Sequence, residues 1–168
     1  MNFLLRLFLT FSSISFFIII YMVQNKINIF ENLSDLTYYL YLLVPFVLTY
    51  ISLIVSKLLS TSTIKKVVEI ETSNNDFLAN YLAFFFVALS IKDLTTFYLV
   101  FIMTMLFTFF SRVSYFNPIF LVFGYNFYYI RTGENIKVML ISKQKLKNPK
   151  NIDELSVKRI NDYTYIEV

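Results

Sequence analysis

Acid–base and metal chemistry draw on histidine, cysteine or clustered carboxylates, and this chain of 168 residues contains neither His nor Cys. The carboxylates Glu134, Asp153, Glu154, Asp162 and Glu167 follow no metal-ligand or acid–base spacing. None of the long uncharged runs contains an acid, and with two glycines there is no glycine-rich phosphate loop. The expectation is a protein without enzymatic activity, metal or cofactor. Two other patterns carry information. Thr49, Ser52 and Ser56 recur at helical spacing, as do Thr104, Thr108 and Ser111, and such stripes mark either helix contacts or a hydroxyl-lined pore. Lys143, Lys145, Lys147 and Lys150 form a basic loop that, with Arg159, is a candidate partner-binding surface. The same loop is also readable as a solvated turn or as a contact for anionic headgroups, and direct nucleic-acid binding is not expected.

The elements that must position these groups are apolar. The chain is 57% hydrophobic and 15% charged, against about 45–50% and 25% in soluble domains. Uncharged runs predict spans over about 7–23, 36–56, 75–91 and 94–111. The first run is too long for a signal-peptide core and lacks a small-residue cleavage site, so it reads as a retained span. Pro45 lies inside the second, as a packing kink or a hinge. Lys92 and Asp93 separate the last two, with Asp93 placed to cap the fourth helix. Lys26 and Lys92 alone of the Lys and Arg residues then fall on one side, so charge places both termini in the cytoplasm. The predicted fold class is an α-helical polytopic protein of the bacterial inner membrane. Residues 1–112 form four transmembrane helices, 113–130 a fold-back junction, and 131–168 a small β-rich cytoplasmic tail.

Asn117, Pro118, Gly124 and Tyr125 are the coupling residues of that junction. Asn117 precedes a proline, which disfavours helix there, and Gly124 with Asn126 permits a turn. Residues 126–131 and 136–142, around a turn at 132–135, predict a β-hairpin with Ile136, Val138 and Leu140 on one face. Residues 151–154 fit a capping box for a short helical turn, and 159–168 a third strand. The segment Lys57 to Asp76 reads as a loop containing a short strand or interfacial turn. At under about 40 residues the tail is too small to fold alone.

On Asn117 and Pro118, on Gly124 and Tyr125 with Phe127 and Tyr128, on the run Leu140, Ile141, Ser142, Lys143, and on Arg159 to Tyr163, the chain resembles the KwaA family. This is the membrane subunit of the bacterial Kiwa anti-phage defence system. The resemblance implies an inner-membrane homo-oligomer, a tetramer, embedded in the lipid bilayer. It would sense phage attack at the envelope and work with a cytoplasmic DNA-binding effector, KwaB. The competing expectation from the residues alone is a small oligomeric channel or transporter.

Overall fold

The computed structural model describes residues 3–29, 36–111, 117–149, 152 and 154–167. In chain order the elements are α1 (Phe3–Gln24), α2 (Leu36–Ser56), β1 (Thr61–Lys65), β2 (Val67–Thr72), α3 (Asn74–Ser90) and α4 (Leu94–Phe110). They continue as α5 (Ile119–Val122), β3 (Asn126–Thr132), β4 (Lys137–Ser142), β5 (Glu154–Arg159) and β6 (Thr164–Ile166).

The expectation of four transmembrane helices with a small hairpin-containing appendage does not hold. Among the described residues five helices stand beside a six-stranded sheet of order β1-β5-β6-β4-β3-β2. Among the described residues only α1 and α2 contain windows long and apolar enough to cross a membrane, Leu7–Gln24 and Thr37–Ser56. Helices α3 and α4 have 17 residues each, which at 1.5 Å per residue gives about 25 Å, short of a hydrocarbon core of about 30 Å. The sheet was under-read for a different reason. Residues 61–72 are two strands, paired with β5 and β3, and pairing across such sequence distances leaves no local signature. Likewise Glu154 opens a strand rather than a helical turn; Asn151 and Asp153 lie outside the described residues. The expected last strand is a turn followed by β6.

Strands β1 and β2 lie at opposite edges of the sheet yet are joined by Lys66 alone, at φ 51°. One bent segment therefore supplies both edges, and the sheet curls into a half-barrel. Register slips between Val67 and Glu69 on β3, leaving Val68 as an exposed bulge. The hairpin β3–β4 runs from Asn126 opposite Ser142 to Arg131 opposite Lys137, and its turn places Asn135 at φ 62°. The expected face is present for Val138 and Leu140, whereas Ile136 is exposed.

Strand alternation sorts the apolar side chains into two layers. Tyr128, Ile130, Val138, Leu140, Leu155 and Val157 fill the concave side with Ile64 and Val67. Phe127, Met139, Ile141 and Ile166 face the other way, onto Leu9 of α1, Leu53 of α2 and Phe120 of α5. Helix α1 is the hub, packing against α2, α3 and α4. At its far end Tyr21 stacks on Phe97 with centroids 4.1 Å apart, and Gln24 Nε2 donates to the Leu89 carbonyl at 2.8 Å. There Thr96 N–H donates to Asp93 Oδ1 at 2.8 Å, capping α4. That bond holds the Asp93 carboxyl below the usual range.

Candidate functional site

The joint between helices and sheet centres on Asn117, which is 1% exposed. Its Nδ2 donates to Thr49 Oγ1 of α2 at 2.7 Å and reaches Ser12 of α1, at 3.2 Å to Oγ and 3.3 Å to the carbonyl. Its Oδ1 accepts from Ile119 N–H at 3.0 Å, which starts α5. Thr49 Oγ1 in turn donates to the Pro45 carbonyl at 2.7 Å. One side chain thus ties two helices and the lead-in to the sheet. The tie runs on through Thr49 to Pro45, the proline placed as a kink or hinge.

Pro118 precedes α5, and Gly124 ends it at φ 82°. Tyr125 N–H donates to the Phe120 carbonyl at 2.9 Å and Gly124 N–H to that of Leu121 at 3.0 Å. These two bonds make a Schellman motif, which needs a left-handed residue where Gly124 stands. Tyr125 then enters the sheet layer facing the helices, with Lys143 Nζ 5.0 Å from its ring centroid. Burial and the nearby negative charge of Glu167 push the Tyr125 phenol upward. Glu167 is hydrogen-bonded to Ser142 and Gln144. A second tie lies at the start of α3. Phe127 N–H donates to Asn74 Oδ1 at 2.8 Å, and Ser73 N–H donates to the Phe127 carbonyl at 2.9 Å. Asn117 is thus bonded to α1, to α2 and to the start of α5, which leads into β3.

Comparison with known proteins sets this joint in a family. A family model described as anti-phage protein KwaA matches residues 5–166, nearly the whole chain. The chain belongs to the KwaA family. Its role is in anti-phage defence. No curated protein and no solved structure matches it.

In this KwaA chain the basic candidates are not gathered into one patch. Lys145 and Lys147 are exposed in the β4–β5 loop, which is pinned from beneath by buried Leu146. Leu146 N–H donates to Tyr128 Oη at 3.3 Å, and Tyr128 Oη donates to the Gln144 carbonyl at 3.1 Å. Lys143 is drawn back over Tyr125, and Lys150 lies outside the described residues. Arg159 sits on β5, separated from β4 by β6 and ion-paired with Asp162. The sequence pattern missed Ser12 and Asn74 as ties. Ser12 is one of several serines in α1, and Asn74 one of two asparagines in a polar turn; only tertiary contact distinguishes them. On α2 the hydroxyls of Thr49, Ser52 and Ser56 are buried and donate to carbonyls of their own helix.

Proposed function

We propose that this KwaA chain is a non-enzymatic, membrane-embedded sensor and scaffold that transmits envelope perturbation to a cytoplasmic effector protein. On this reading α1 and α2 cross the bacterial inner membrane as a hairpin, and both termini and the sheet stand in the cytoplasm. The distribution of charge supports that orientation. The described Lys and Arg residues beyond α1, apart from Lys26 and Lys92, lie after α2, in the sheet or in its loops. Helices α3 and α4 lie against α1 and turn Phe86, Phe107 and Phe110 outward, at 62%, 68% and 71% exposure. Apolar surface of that extent favours cover by lipid or by further copies of the chain.

The observation that carries the reading is the Asn117 junction. A stimulus moves a protein between states only by favouring one packing over another. Asn117 bonds to two candidate spans and to the segment feeding β3, so one change of α1–α2 packing reaches the sheet. The intrahelical bonding of the α2 hydroxyls supports a role in packing and gives no support to a channel. The test is Asn117→Ala in cells challenged with phage. The variant should remain in the membrane fraction while plaquing rises to that on cells lacking the protein; full protection by a membrane-resident variant would overturn the coupling.

A further inference from the structure

Between the bent segment β1–β2 and the β3–β4 turn lies a cleft of about 560 Å³, within the usual range for ligand sites. Its floor is apolar, from Ile64, Val138 and Tyr165, and charged side chains stand at its rim. Of these, Lys65 is paired with Glu154 at 3.4 Å and Asp162 with Arg159. Lys66 and Glu134 enter no ion pair among the described residues, which leaves one charge of each sign at the mouth. Thr132 also lines the cleft, and its buried Oγ1 has no hydrogen-bond partner among the described residues.

The backbone of β1 adds a directional feature. Arg159 N–H donates to the Ser60 carbonyl at 3.0 Å, and the register pairs Thr61 with Lys158 and Thr63 with Ser156. Hydrogen-bonded and non-bonded pairs alternate in an antiparallel ladder. Ser60, Ser62 and Ile64 therefore bond β5, while the N–H and C=O groups of Thr63 and Lys65 point to the outer edge. Among the described residues no strand lies on that edge.

We infer that this cleft is a docking site for an extended peptide segment of a partner protein, added as a strand along β1. The segment would carry an apolar side chain for the floor and flanking charges for Lys66 and Glu134. An unpaired strand edge, an apolar floor and an orphan hydroxyl together match strand addition, in which main-chain bonds give affinity and alternate side chains give specificity. The inference rests on the reading that the sheet recruits a partner, and it names the surface and the mode.

The test uses the full chain purified in detergent and a bead library of random hexapeptides, acetylated and amidated at their ends. Enriched sequences should place an apolar residue between opposite charges. A resynthesised binder, followed by fluorescence anisotropy, should lose at least tenfold in affinity to Thr63→Pro, which removes an edge-facing N–H without touching the β5 ladder. It should lose severalfold to Thr132→Val. Lys66→Glu combined with Glu134→Lys should invert the charge order of the enriched peptides, and this decides the matter if Thr63→Pro loses its strand signal in circular dichroism. Backbone N-methylation of the peptide should abolish binding at one parity of positions and spare the other. No enrichment over bare beads, or binding indifferent to these substitutions, overturns the inference. Effector co-purification with the full chain tests recruitment separately: its absence defeats the recruitment reading, whereas co-purification that Thr63→Pro and the Lys66–Glu134 charge swap leave unchanged defeats the cleft alone.

Discussion

At the scale of the residue, Asn117 and Gly124 act by different means. Replacing Asn117 with alanine leaves a buried Ile119 N–H without its acceptor, at a cost of about 1–3 kcal/mol. A lower thermal midpoint for the purified variant checks this. Gly124→Ala meets no atom within 4 Å of the added Cβ, so its cost is confined to the left-handed backbone, about 1–2 kcal/mol. Gly124→Asn should cost less, because asparagine tolerates that conformation; equal losses for the two would show that packing, not φ, sets the requirement. Tyr125 supplies a pH dependence. Burial and Glu167 raise its ionisation above the ordinary value of about 10, so the folded state favours the neutral phenol. That contribution is complete below about pH 10 and is lost as pH rises through the folded value. The fall in thermal midpoint above pH 10 should be shallower in Tyr125→Phe than in the parent chain.

At the scale of the element, the readable features were those built from near neighbours. The Asp93 cap depends on a residue three positions on, and the β3–β4 hairpin on a four-residue turn with Gly133 and Asn135. Pro118 and Gly124 bracket a four-residue helix for local reasons too. The sheet's outer strands were not readable in this way, since β1 pairs with β5 and β2 with β3 across three intervening helices, α3 to α5. Of the candidate site, Asn117 was placed by its proline, whereas its partners Ser12 and Thr49 lie 105 and 68 residues away. Helices α3 and α4 illustrate a second limit: an uncharged run reports hydropathy, but whether it crosses a bilayer also depends on length. The Asp93 cap yields an element-scale expectation. Its lowered carboxyl stabilises the start of α4 above the ordinary carboxylate pKa, and that support is lost as pH falls through the folded value. Hydrogen exchange at Thr96 should accelerate relative to its neighbours on acidification, and Asp93→Asn should flatten the response.

At the scale of the whole molecule, helices and sheet form one coupled unit, joined at Asn117, at Asn74 and through the direct run of α2 toward β1. The proposed membrane orientation is checked by a reporter fused after Val168, which should be active only in its cytoplasmic form; a periplasmic signal would reverse the assignment of the sheet. The bent segment of β1 and β2 also bears on the order in which the protein is made. Both outer strands leave the ribosome before α3 and α4, whereas the four strands between them come last. At about 5–20 residues per second, β1 and β2 wait for seconds without partners while α3, α4 and α5 are synthesised. The half-barrel closes only when its last strands return to them, so a completed sheet certifies that the helices between have already been delivered.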